Sequence, residues 1–268
     1  MAVAFVRAVS HLTLFTFRIL LLTEAFAVPV LSWADIVLAN LAVCLGATLQ
    51  GSIGFGLGFV GAPLLMLIDP VFIPGPLLSS GLVLTLLLAH RERRSIDFGE
   101  IKWAVAGRFV GVVVAAVVIA SMSTDGLALM LGILVLALVG LSLSGLHFEP
   151  TKRSLAVAGT VSGFAGTIAS VGAPPMAIVY QNAKGPRIRG TLSAFFVVGV
   201  LMSLTALVVV GRYGIAEISI ALRMIPGLLL GFVLSRRSAV VLDRGYTRRV
   251  VLGFSAMGGI LLVLRELL

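Results

Sequence analysis

Long apolar runs constrain this chain before any motif is read. The stretches 101–121, 127–146, 191–211 and 250–264 each approach or reach the roughly 20 apolar residues that cross a bilayer's hydrocarbon. Hydrocarbon offers peptide groups no hydrogen-bond partner, so such runs must be helical. A mean hydropathy of +1.16 leaves no soluble core able to absorb them. Only 12% of the residues are charged, against about 25% in soluble domains. The net charge of +9 would suggest nucleic acid in a soluble protein. Here Lys and Arg fall mainly in short loops and no basic or aromatic stripe forms a groove, so the expected partner is the lipid bilayer and not nucleic acid.

The chain also repeats itself. Gly61-Ala62-Pro63 returns as Gly172-Ala173-Pro174, each in a glycine-laden apolar run. Duplicated chains of this kind build a substrate site where the broken helices of two repeats meet near the bilayer midplane. The expected organisation is an N-terminal hydrophobic segment (1–32), a first transmembrane repeat (33–146), a polar linker (147–153) and a second repeat (154–268). Segment a of each repeat covers 36–53 or 155–169, and segment b is a short piece at 59–68 or 172–181. Three more segments follow, after Pro74 and Pro76 in one repeat and Pro186 in the other.

Loop charge decides how a and b relate. If b returns to the side from which a came, fourteen Lys and Arg fall on one side and two on the other. If a and b form one crossing, the bias vanishes. The positive-inside rule therefore selects a hairpin, and with it an odd number of segments that inverts the second repeat. The expected fold is all-α and integral to the membrane, with two inverted repeats, each a glycine-rich broken helix or re-entrant hairpin plus three spanning helices. Residues 1–32 read as an uncleaved helix, because Arg18 and Glu24 interrupt the apolar run that a secretory signal needs. Cys44, the sole cysteine, excludes an intramolecular disulfide.

Segment b is too short to span, so it starts within the membrane and leaves backbone N–H groups to be satisfied there. Gly54, Gly56, Gly58 and Gly61 before Pro63, and Gly166 and Gly172 before Pro174, allow a ligand to approach those groups. N–H groups at a helix start attract anions. The competing reading is close helix packing by small residues. Gln50, Gln181, Ser79, Ser80, Thr191 and Ser193 lie near enough to add hydrogen bonds to a small oxyanion, although Ser and Thr also bond to their own helices. Arg108 and Arg223 each fall about two turns into the fourth segment of a repeat, where a charge is costly unless paired, wetted or snorkelling. All of these are substrate-binding candidates. The acidic residues fall in loops, the N-terminal region or segment ends, which argues against a buried carboxylate proton relay.

His11, His90 and His147 are too scattered to hold a metal, and no HExxH, CxxC, GxSxG, phosphate-loop or dinucleotide motif occurs. The chain is expected to be no enzyme, to use no cofactor and no metal, and to be compatible with a homo-oligomer.

The run 51–65, GSIGFGLGFVGAPLL, together with Ser162-Gly163-Phe164-Ala165-Gly166 and Gly172-Ala173-Pro174 in the second half, resembles the TauE/SafE or sulfite exporter family of membrane transporters. The resemblance covers roughly 33–266. It implies movement of sulfite, sulfoacetate or another small sulfur-containing anion across the bacterial inner membrane, often as export. Family members show a denser Gly-x-Gly-Gly before the proline. Here Leu57 and Phe59 interrupt the first run, and Ser170-Val171 precede Gly172 in the second, which leaves the ligand open. The expectation is a secondary transporter working by alternating access. An anion channel and a non-enzymatic docking subunit are the alternatives.

Overall fold

A computed structural model describes residues 31–122, 124–144, 146, 148–180 and 185–242. Among them every regular element is helical: α1 (Trp33–Ile53), α2 (Leu57–Ile68), α3 (Gly75–Arg91), α4 (Phe98–Ser121), α5 (Thr124–Leu143), α6 (Lys152–Ala169), α7 (Ala173–Val179), α8 (Gly185–Val209) and α9 (Ile215–Leu242). Nearly all of the N-terminal hydrophobic segment, Gln181 and the apolar run 250–264 lie outside the described residues.

Two local signals recur. Ser32 opens α1 with a capping box to Asp35, and Thr151 opens α6 with one to Ser154, so each helix start has its orphan N–H groups satisfied. Both helices then end on a left-handed residue, Gly54 (φ 95°) and Ser170 (φ 59°). After each such stop a short helix turns back. The start of α2 lies against α1, with Leu57 packed on Gly46 and its N–H donated to the Gln50 side chain. At 12 and 7 residues, α2 and α7 are too short to cross ~30 Å of hydrocarbon.

Long helices pair reciprocally: α1 with α9, α4 with α6, and α3 with α8. The first two pairs are parallel and rest on small residues. Cβ atoms at Gly107, Gly111, Gly159 or Gly163 would overlap the facing backbone across α4 and α6, and at Gly227 or Gly231 that of α1. Such surfaces let backbones approach in a medium with no hydrophobic force between helices. Pro226 interrupts α9, and Asn40 of α1 repairs it. Its amide donates to Arg223 O at 2.9 Å and its carbonyl accepts from Gly227 N at 2.7 Å, the two groups that a helical ladder would join.

Helix directions sort the charges. Ser79 meets Tyr213 and Gly75 meets Glu217 at one end of the bundle. At the other end Arg91 meets Ser235, Arg189 meets Glu92, Arg187 meets Asp97 and Glu100, and Lys102 and Lys152 approach Trp103. Arg93, Arg94, Arg153, Arg236 and Arg237 share this basic end, and Arg212 belongs to the first. The α1–α2 hairpin starts from the sparsely charged end and turns near the basic one. The α6–α7 hairpin starts from the basic end and turns near Pro74, to whose carbonyl Ser170 donates a hydrogen bond.

Outward faces are as apolar as the core. Val37, Leu41 and Leu45 of α1, Val113 and Val117 of α4, and Leu222, Leu230 and Val233 of α9 are all exposed. α1, α4, α8 and the Ile215–Ser238 part of α9 are long and apolar enough to cross a membrane. Exposed Trp33 and partly exposed Trp103 lie near opposite ends, where indole rings favour a headgroup interface.

Candidate functional site

Where the two hairpins pass, glycine lets them touch: a Cβ on Gly58 of α2 would overlap the Ser170 carbonyl at the other hairpin's turn. Beside this contact lies a cavity of about 50 Å³. That exceeds the ~10–15 Å³ that one water requires on the same measure, so several waters or one small oxyanion fit. Gln50, Gly58, Gly81, Thr85, Gly166, Ser170 and Gly172 line it, with an apolar wall from Leu57, Phe59, Leu77, Leu78, Phe196 and Val200.

Among the described residues one charge reaches this space. Arg108, from the middle of α4, is 1% exposed and lines the cavity. Its Nη1 donates to Ser162 Oγ at 2.8 Å. The guanidinium also lies 5.0 Å from the Phe195 ring and 5.6 Å from Phe196, cation–π contacts that hold its plane. Its Nε has no hydrogen-bond partner, and among the described residues no carboxylate pairs with it. A buried cation with so little compensation is expensive unless an anion completes it. Gly199 of α8, Gly166 and Gly172 make room: a Cβ on Gly199 would overlap Nε, and one on Gly172 would come within 3.1 Å of Nη1.

Gln50 is the second polar contributor. Its Oε1 accepts from Leu57 N at 3.1 Å, which satisfies one of the first N–H groups of α2 and orients the carboxamide at the cavity. The helix starts themselves offer less than the sequence suggests. Leu57 N–H is taken, and α7 has Pro174 and Pro175 in its first turn, neither with an N–H to give.

The structure thus brings Gln50, Gly58, Arg108, Gly166 and Gly172 together. Gly54 (φ 95°) and Gly56 (φ 148°) shape the turn behind them, with Gly54 packed on Ile188 and Arg189. Gly61, Pro63 and Pro174 lie along the short helices, outside the lining. Ser79 bonds Gly75 O and Tyr213, and Ser80 bonds Pro76 O and Ala221 O, so both hold helices together. Thr191 accepts from Asp97 N, and the Ser193 hydroxyl is buried without a partner away from the cavity. Arg223 does not join Arg108. It is half-buried on α9, whose glycine face is committed to α1. Gln181 lies outside the described residues. Sequence reasoning assigned no binding role to Ser162, Thr85, Phe195, Phe196 or Gly199, which matter because α3, α6 and α8 converge on the Arg108 cavity.

The basic end is closed by a second cluster. Glu92 Oε1 accepts from Arg189 Nε at 3.1 Å and Arg91 Nε at 3.2 Å. Arg189 also donates to Ser52 O, and Arg91 to Gly51 O and Ser235 Oγ. Cations thereby satisfy the orphan carbonyls at the end of α1 while joining α3, α8 and α9. Among the described residues, no group of His, Cys, Asp and Glu is placed to hold a metal.

No curated protein and no solved structure matches the chain. A family model described as "Sulfite exporter TauE/SafE" matches residues 38–262, a span that takes in both hairpins, Arg108 and the cavity lining. The match covers well over half of the chain, and the chain belongs to the TauE/SafE family.

Proposed function

We propose that this protein is a multi-pass secondary transporter of the bacterial inner membrane that exports a small sulfur-containing anion, such as sulfite, a sulfonate or a related organosulfur acid. One observation carries the reading: Arg108 lies at a small cavity between two hairpin turns and, among the described residues, no carboxylate neutralises it. Membership of a family named for sulfite export supplies the substrate class.

Two inverted repeats fit the reciprocal pairing of α1 with α9 and α4 with α6, and hairpins that start from opposite ends. Alternating access would expose the Arg108 cavity to one end and then the other as the repeats rock. The basic end, placed inside by the positive-inside rule, is the one closed by Glu92, Arg91 and Arg189. Export would draw on the membrane potential, since an anion leaving a negative interior gains about 2.3 kcal/mol per charge per 100 mV.

The test is thermal stabilisation of the purified protein by sulfite, sulfoacetate, methanesulfonate, sulfate and short carboxylates, alongside Arg108→Gln. Stabilisation by sulfur oxyanions that disappears in the variant is the expected result. Silence across the panel, or shifts indifferent to Arg108, would sink the reading and favour a docking subunit.

A further inference from the structure

The cavity's charge inventory constrains its ligand more tightly than a family name does. Among the described residues Arg108 is the one charged side chain in the lining, and the polar remainder, Gln50, Thr85 and Ser170, is neutral. The elements packed round the guanidinium present Ser162 and Gly166 from α6, Phe195, Phe196 and Gly199 from α8, and Gly172 from the turn before α7. None of these titrates. Glu92 and Glu100 bond to arginines at the basic end. The lining therefore offers one guanidinium and no titrating side chain beside it.

We propose that the Arg108 cavity is built for a singly charged oxyanion and discriminates against dianions. The proposal rests on the anion-transport reading above and narrows it. A monoanion brings the buried site to neutrality, with its oxygens on the guanidinium edge and the Gln50 amide. A dianion leaves one negative charge uncompensated among Leu57, Phe59, Leu77 and Leu78, at a desolvation cost that no second cation offsets. Volume agrees, because about 50 Å³ admits a pyramidal or tetrahedral head with at most a short apolar substituent, which the leucine and phenylalanine wall would cover.

Sulfite is the informative ligand, because hydrogen sulfite loses its proton near neutrality and becomes a dianion. If the cavity takes the monoanion, sulfite binds with its proton, and the protein needs no carboxylate of its own to couple proton and anion. Methanesulfonate stays a monoanion throughout this range, and sulfate stays a dianion.

The experiment is calorimetric titration of the full-length protein in nanodiscs with sodium sulfite, methanesulfonate and sulfate at several pH values between 6 and 8. Methanesulfonate is expected to bind with a pH-independent Kd. The apparent Kd for total sulfite should rise about tenfold per pH unit once the dianion dominates. Sulfate should bind about a hundredfold more weakly than methanesulfonate or not at all. Arg108→Gln should abolish methanesulfonate binding, and Arg108→Lys, which keeps the charge, should retain part of it. Sulfate binding as tightly as methanesulfonate, or sulfite affinity that is flat or improves above neutrality, would overturn the inference while leaving anion transport standing, whereas binding untouched in both variants would overturn both. Binding of none of the three would overturn the transport reading, and this inference with it.

Discussion

Gly199 on α8 lies where the Arg108 side chain crosses from α4, and a Cβ there would overlap the guanidinium Nε. The charge at the centre of the molecule is held in place partly by an atom's absence. Phe195 and Phe196, one turn earlier on α8, supply the faces against which the same guanidinium rests. One helix therefore sets both the clearance and the orientation of a cation that belongs to another.

Gly199→Ala should dislodge the guanidinium and remove anion-dependent stabilisation, although the change is a single methyl group. Gly140→Ala on α5 is the control, since a Cβ there meets nothing within 4 Å and helix propensity alone favours the swap by about 0.5–1 kcal/mol. Thermal melts with and without ligand separate the two. Equal behaviour of both variants would contradict the clearance argument.

Arg108→Met should leave the ligand-free protein as stable as the parent or more so, because an under-compensated buried charge gives way to an apolar chain of similar length. Replacing buried charges by apolar groups is commonly neutral or stabilising by about 1–4 kcal/mol. The same variant should lose its response to anions. A large drop in ligand-free melting temperature would mean that Arg108 is structural.

Asn40→Leu should cost about 1–3 kcal/mol, because it strands the Arg223 carbonyl and the Gly227 N–H at the Pro226 break. Asn40→Asp keeps the acceptor for Gly227 N and loses the donor to Arg223 O, so it should fall between. Unfolding free energies in mixed micelles would rank the three proteins.

Glu92→Gln should loosen the basic end. Arg189 is 8% exposed and pairs with Glu92, and the pair ties α3 and α8 to the end of α1. A cysteine placed at Ser52 in a Cys44→Ala background should react faster with a membrane-impermeant maleimide once Glu92 is replaced. Unchanged labelling would show that the cluster is not a closure.

Cysteines introduced at Arg93 and at Ser121 should label from opposite faces of the membrane, the first from the cytoplasm only. Labelling of both from one face would refute the helix directions on which the inverted-repeat reading depends.

Sequence alone was enough for the terms that depend on composition and on local chain chemistry. Apolar runs dictated helices, since unpaired peptide groups are intolerable in hydrocarbon. The loop arginines and lysines separated a hairpin from a single crossing, and α1–α2 does fold back on itself, with Gln50 bonded to Leu57 N. Gly54 and Gly56 marked the turn because their positive φ values suit glycine. Arg108 stood out as a charge in an apolar run. Nothing in the chain distinguished it from Arg223, yet tertiary packing buried one beside a cavity and left the other half-exposed on α9. The reason is physical: a residue's exposure depends on which helices surround it, and pairing was decided by glycine ridges at 107, 111, 159, 163, 227 and 231 that fit only particular partners. Ser162, Phe195 and Gly199 acquired their roles in the same way, because their spacing along the chain carries no trace of a guanidinium arriving from another helix.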